Sequence, residues 1–149
     1  MLTEKIKSSI QESVLCWLAT VDEDGCPSVS PKEVFICNSD TEILIANIAS
    51  ANSVKNIKSN DNVCVSFVDV FKQKGFQLYG KATYIAKNSD SFEAAFGSIK
   101  PLTGDKYPVA GVIRITVLKA KPIVAPSYKL FPNITEEQQI ESAKKTYGV

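Results

Sequence analysis

The sequence contains no histidine. This absence excludes Ser-His-Asp and Cys-His triads, histidine general bases and nearly all imidazole metal sites. Cysteine is also scarce: the four residues Cys16, Cys26, Cys37 and Cys64 form no Cys-x-x-Cys pair. Zinc and iron–sulfur sites need tighter clusters than these, so we predict no metal centre.

The chain also lacks an excess of charge of either sign and any long apolar run. Seventeen Lys and Arg against sixteen Asp and Glu leave a net charge of +1, which argues against a dedicated nucleic-acid-binding protein. No apolar run approaches the roughly 18 residues of a membrane span, and the first residues are polar and amphipathic. We therefore expect a cytoplasmic protein, with reduced thiols, that binds neither nucleic acid nor a membrane.

The chain has 149 residues, of which 44% are hydrophobic, as is usual for one globular domain. Helical spacing of apolar residues predicts helices over 3–13 and 50–60, one beginning near 90, and a short polar one beginning at Thr135. Period-two or continuous apolar patterns separated by turn residues predict six strands, at 14–21, 26–36, 42–47, 62–70, 76–86 and 109–120. Pro27 and Pro31 lack a ladder donor and place the second strand at an edge or bulge.

Six strands joined mostly by short turns predict a mainly β fold, a closed or partly closed antiparallel barrel with small flanking helices. A sandwich remains the alternative from pattern alone. We predict a single domain over 1–149, in which residues 121–149 form a C-terminal arm.

Local sequence offers one candidate binding site and no catalytic residue. There is no P-loop, no G-x-G-x-x-G and no G-x-S-x-G, and the paired carboxylates lie in predicted turns and helix starts. A helix begins shortly after Asn47, where Ser50, Asn52 and Ser53 could surround its free N–H groups, and Lys32 and Lys55 could supply positive charge. The alternative is that these residues only cap the helix and that the lysines are solvated.

The order of several segments resembles that of one family. The segment Leu18-Ala19-Thr20-Val21-Asp22-Glu23-Asp24-Gly25, with Pro27 and then Val29-Ser30-Pro31-Lys32, resembles the opening hairpin of the pyridoxamine 5'-phosphate oxidase-like, FMN-binding split-barrel family. The likeness continues through 45–47, 50–60, 63–69 and 75–82. No single motif is strongly specific, but the ordered set over roughly 14–86 is.

The resemblance implies a six-stranded split barrel that forms a homodimer and holds FMN at the subunit interface. It implies that the flavin phosphate is bound by Lys32, Ser50, Asn52, Ser53 and Asn56. Ser30, Ile45, Ala46 and Asn47 would lie along the ring and ribityl chain, and Gln77 would approach the ring from the same or the partner subunit.

Two departures from the family qualify this expectation. Relatives often carry Lys or Arg where this chain has Asn52, so FMN is expected to bind more weakly. The true oxidase has a C-terminal segment with Arg and His for its pyridoxal substrate, so authentic pyridoxamine 5'-phosphate oxidase activity is not expected. The resemblance then favours an FMN-dependent oxidoreductase acting on an unidentified small molecule. The alternatives are a non-catalytic flavin carrier or redox sensor, or a split barrel that uses a deazaflavin or no cofactor.

Overall fold

The computed structural model describes residues 1–149. Its seven strands are β1 (Cys16–Val21), β2 (Pro27–Lys32), β3 (Phe35–Cys37), β4 (Glu42–Asn47), β5 (Asn62–Asp69), β6 (Lys74–Ala86) and β7 (Gly111–Val124). Its helices are α1 (Glu4–Glu12), α2 (Ala51–Ser59), α3 (Phe92–Thr103), α4 (Ser127–Leu130) and α5 (Glu136–Tyr147). None of these helices has the length and apolar character that crossing a membrane requires.

All seven strands form one antiparallel sheet in the order β2-β1-β5-β6-β7-β4-β3. β2 and β3 are thus the two edges of the sheet, yet only Glu33 and Val34 lie between them in the chain. From Lys32 to Phe35 the chain can span at most about 11 Å. The sheet must therefore curl until its edges meet, and the predicted mainly β, split-barrel fold is confirmed.

The prediction of six strands was wrong, because the expected strand over 26–36 is two strands. Its first part pairs with β1, where Lys32 lies opposite Cys16, and its second part pairs with β4, where Phe35 lies opposite Ile45. One extended segment passes from one edge of the sheet to the other. Glu33 and Val34 make the crossing between the two strands, and the Val34 carbonyl already accepts from the Ala46 amide of β4 at 3.0 Å. The sequence pattern is continuous through the crossing because both parts are extended.

Two apolar clusters hold the fold together. The larger fills the barrel with inward residues of the strands, among them Leu18, Val65, Leu78 and Ile113, and α1 adds Ile6 and Ile10. The smaller lies outside the sheet, where Phe92, Ala95 and Ile99 of α3 pack on Leu44 and Val112. Because β4 contributes to both clusters, its side chains are buried on both faces.

The end of the chain packs on the turn between β5 and β6. β7 runs to Val124, past the strand end predicted at residue 120, and its Pro122 lies opposite Phe76. The Tyr128 hydroxyl donates to the Lys72 carbonyl at 2.8 Å, and the Lys74 ammonium lies 2.7 Å from the Glu136 carboxylate. α4 and α5 are thereby joined to the sheet at the end of β5.

Candidate functional site

Lys32 is a buried cation without an acidic partner. It is the last residue of β2, is 7% exposed, and donates from Nζ to the hydroxyls of Ser30 and Ser50, each at 2.6 Å. No carboxylate lies within ion-pairing distance of it. Burial lowers the pKa of Lys32 below its usual value. An ammonium has three donors, so one remains for an anion that would also balance the buried charge.

The first turn of α2 lies beside this ammonium. Ser50 is the N-cap residue, but its hydroxyl accepts from Lys32 and does not cap the helix. The first intrahelical hydrogen bond runs from the Val54 amide to the Ser50 carbonyl, so the amides of residues 51–53 have no acceptor within the chain. Free amides and the positive end of the helix dipole favour an anion at this point.

Hydroxyl and amide groups line the space between β2 and α2. The Ser30 and Ser53 hydroxyls lie 3.2 Å apart, and the Asn52 side-chain amide donates to the Ser28 hydroxyl at 3.3 Å. The structure thus brings together Ser30, Lys32, Ser50, Asn52 and Ser53, five of the ten residues named from the sequence. Asn52 contributes an amide where a second cation would strengthen anion binding.

Asn47 supports this cluster from the end of β4. Its Oδ1 accepts from the Ser50 amide at 3.0 Å, and its Nδ2 donates to the Tyr84 hydroxyl at 3.2 Å. Tyr84 in turn donates to the Ala110 carbonyl at 3.1 Å. Sequence reasoning missed Tyr84, because it lies 37 positions from Asn47 on another strand and the alternation of β6 marks it only as one more residue of the inner face.

Three further predicted residues lie in packed surroundings. Ile45 points into the barrel and Ala46 into the cluster under α3. Asn56 is buried, and its side-chain amide donates to the Thr20 hydroxyl at 3.0 Å, which joins α2 to β1.

Gln77 is separated from the other predicted residues by the sheet itself. Directly paired residues share a face, and Gln77, Ser66 and Trp17 form one cross-strand row on the outer face. Lys32 instead shares its face with Cys16, which points into the barrel. Gln77 and Lys32 of one subunit therefore lie on opposite sides of the sheet.

A cavity of about 250 Å³ opens beside Lys32 and Ser50. Its wall includes Ala46 and Tyr107, a residue of the loop before β7 that the sequence did not indicate. Lys32 therefore borders a space that a ligand can enter.

No thiol lines this cavity, and the one carboxylate in its wall, that of Glu33, is exposed. Burial raises the pKa of the Cys16 thiol to about 12 and also raises the pKa values of Cys37 and Cys64. These thiols are therefore poor nucleophiles near neutral pH. The arrangement can bind a phosphate or a similar oxyanion, but the reactive group must come with the ligand.

Comparison with known proteins identifies the family to which the chain is similar. The sequence model of the family described as pyridoxamine 5'-phosphate oxidase matches residues 2–126. No curated protein matches the chain.

Three similar solved structures illustrate the range of relatives. HupZ of Group A Streptococcus is 26% identical, with a TM-score of 0.69 over 80% of this chain and 92% of that one. An FMN-binding protein from Syntrophomonas wolfei subsp. wolfei is 17% identical, with a TM-score of 0.70 over 83% and 87% of the two chains. HutZ, the heme storage protein from Vibrio cholerae, is 19% identical, with a TM-score of 0.65 over 83% and 94%.

Proposed function

The chain belongs to the pyridoxamine 5'-phosphate oxidase family, and from that premise we propose that it is an FMN-binding flavoprotein that acts as an oxidoreductase on a small molecule. The observation that carries the proposal is that the Lys32 ammonium is buried without a carboxylate partner, beside the free amides of α2. FMN is a phosphorylated cofactor, and its phosphate matches both features. A neutral ligand would leave the buried charge uncompensated.

The phosphate is held from two sides in this proposal. Lys32 supplies the charge, and the amides of residues 51–53 supply directed donors at the positive helix end. The hydroxyls of Ser30, Ser50 and Ser53 surround the same point and can each turn to donate. With Asn52 in place of a second cation, affinity is expected to be modest.

When bound, the isoalloxazine supplies the hydride or electron transfer. The chain's own residues then bind, orient and shield the cofactor. This division suits a sequence that has no histidine and whose buried thiols stay protonated. Because no histidine is present to handle a pyridoxal substrate, we propose a substrate other than pyridoxamine 5'-phosphate.

We also propose a homodimer, which would complete the site from the outer face of the sheet. Trp17 and Val29 are 46% and 58% exposed there, a large apolar area for a surface strand. Gln77 lies on this face and cannot reach the Lys32 of its own subunit through the sheet. In a dimer it would instead approach the cofactor of the partner.

A haem function has less support. HutZ is named a heme storage protein, but this chain has no imidazole to serve as an axial ligand. The raised pKa values of Cys16, Cys37 and Cys64 disfavour a thiolate ligand.

The decisive experiment is a visible absorption spectrum of the purified protein, before and after FMN is added and the excess removed by desalting. Retained flavin bands support the proposal, and a Soret band after incubation with haemin would instead favour haem binding. Titration with riboflavin, which lacks the phosphate, is the matched control. Equal affinity for FMN and riboflavin, or no retention of FMN, contradicts the proposal.

A further inference from the structure

We propose that Tyr84 is a positioning residue for the phosphate site, and that it acts by fixing the orientation of the Asn47 side-chain amide. The inference rests on the proposed function, because its effect is measured on FMN. Tyr84 itself makes no hydrogen bond to Lys32 or to the first turn of α2. It is linked to them through Asn47 and Ser50.

The direction of each hydrogen bond in this chain is determined by the one before it. The Tyr84 hydroxyl has a single proton, which it donates to the Ala110 carbonyl at 3.1 Å. Its oxygen can then only accept, so Asn47 must present Nδ2 to it, at 3.2 Å. The other end of the amide, Oδ1, is therefore directed at the Ser50 amide, which donates to it at 3.0 Å.

A reversed Asn47 amide would place its NH₂ group against the N–H of Ser50, two donors facing each other. Ser50 would lose its acceptor, and the backbone that carries its hydroxyl would be free to shift. That hydroxyl accepts from the Lys32 ammonium at 2.6 Å. The orientation of one amide thus determines whether the buried cation keeps one of its two hydroxyl partners.

The surrounding backbone provides room for this arrangement. Gly111 lies opposite Asn47 in the ladder between β4 and β7, and a Cβ atom at Gly111 would overlap the hydroxyl and ring of Tyr84. Lys58 of α2 lies 5.8 Å from the centre of the same ring. Replacing Tyr84 with Phe keeps the ring and its packing and removes only the hydroxyl.

The test is the affinity of Tyr84→Phe for FMN and for riboflavin, with Tyr147→Phe as the matched control. The Tyr147 hydroxyl, at the end of α5, accepts from Gln73 and has no part in the chain of hydrogen bonds. We expect FMN affinity to fall about 3–10-fold in Tyr84→Phe, the range for one neutral hydrogen bond, with riboflavin affinity unchanged. Unchanged FMN affinity, or an equal loss for both flavins, would overturn the inference.

A second background tests orientation directly. In Asn47→Asp either carboxylate oxygen can accept from Ser50, so no orientation has to be fixed. Adding Tyr84→Phe to Asn47→Asp should then change FMN affinity by less than twofold, roughly the error of such comparisons. A loss as large as in the native background would contradict the orientation role.

A readout without flavin separates this inference from the proposed function. Hydrogen exchange at the Ser50 amide, followed by NMR, should be faster in Tyr84→Phe than in the native protein and unchanged in Tyr147→Phe. If the native protein binds no FMN, the proposed function fails, while faster Ser50 exchange still supports the positioning role. Equal exchange rates in the native protein and Tyr84→Phe would contradict that role.

Discussion

The side-chain amide of Asn56 donates to the hydroxyl of Thr20 at 3.0 Å, and both residues are buried. This hydrogen bond joins the middle of α2 to β1 inside the barrel. It fixes the helix whose first turn borders Lys32, so the position of the free amides depends on a buried contact between two protein side chains. Asn56 is better explained by this contact than by a direct role in binding phosphate.

We expect Asn56→Ala to lower the free energy of unfolding by about 1–3 kcal/mol, because the Thr20 hydroxyl would remain buried without a partner. Replacing both residues, as in Asn56→Leu with Thr20→Val, should cost less than the sum of the single substitutions. Urea denaturation of the native protein, Asn56→Ala, Asn56→Leu, Thr20→Val and the double variant measures both effects. Additive costs would indicate that the two side chains do not interact.

We expect Lys32→Ala to weaken FMN binding about 10–100-fold, the effect of losing one charge-assisted hydrogen bond. Riboflavin affinity should change little, since the lost contact is to the phosphate. Lys5→Ala, which removes an exposed lysine of α1, is the matched control for net charge. Fluorescence titration measures all of these affinities. If Lys32→Ala and Lys5→Ala bind FMN equally well, Lys32 is not a phosphate ligand.

FMN affinity should decrease with rising pH, and this decrease should occur at a lower pH than the one at which an ordinary lysine loses its proton. Burial lowers the pKa of Lys32 below 10.5 in the folded protein. The cation that attracts the phosphate is therefore present below that lowered pKa and is lost as the pH rises through it. Titrations from neutral pH upward measure the decrease. In Lys32→Arg, which stays charged, the decrease should be absent, and an identical profile would assign it to another group.

The same group should affect the ligand-free protein in the opposite direction. Between the lowered pKa of Lys32 and 10.5, the unfolded chain keeps a proton that the folded chain has released. The free energy of unfolding therefore rises with pH in this window, as far as Lys32 is concerned. Comparing denaturation of the native protein and Lys32→Arg across the window isolates this contribution. A parallel pH dependence in the two proteins would contradict it.

Trp17→Glu should convert the proposed dimer to a monomer, because it places a charge beside Val29, in the exposed apolar area of β1 and β2 on the outer face. Leu102→Glu is the control, since Leu102 is also exposed but lies on α3, which packs on β4 and β7 instead. Light scattering at micromolar concentration measures the mass. A monomeric native protein, or a dimeric Trp17→Glu, would remove the outer face as the interface.

Features determined by neighbouring residues could be predicted from the sequence. The helix predicted over 3–13 from apolar spacing is α1, and Lys32, Ser50 and Ser53 were singled out by the helix that begins after Asn47. Ser30 was added by the family resemblance. Lys55 of α2 was the exception, because it lines a separate acidic recess near Asp22 rather than the cluster.

Features determined by contacts between distant residues could not be predicted from the sequence. The crossing at Glu33 and Val34 has the same extended pattern as the strands on either side, so only its pairing partners distinguish it. Tyr84 depends on a backbone carbonyl 26 positions away and on an amide 37 positions away. Gln77 was placed by resemblance, but which side of the sheet it occupies follows only from the register of β5 and β6.

The crossing at Glu33 and Val34 has a thermodynamic consequence. Lys32 is the last residue of the edge strand β2. Ser50 follows β4, which pairs with the other edge strand, β3. The hydrogen bond between Lys32 and Ser50 therefore joins the two edges of the sheet. An anion that contacts Lys32 and α2 together can bind only when those edges lie side by side. By mass action, such a ligand disfavours opening of the barrel between the two edges. Any change that favours this opening must lower the affinity for the ligand by the same factor.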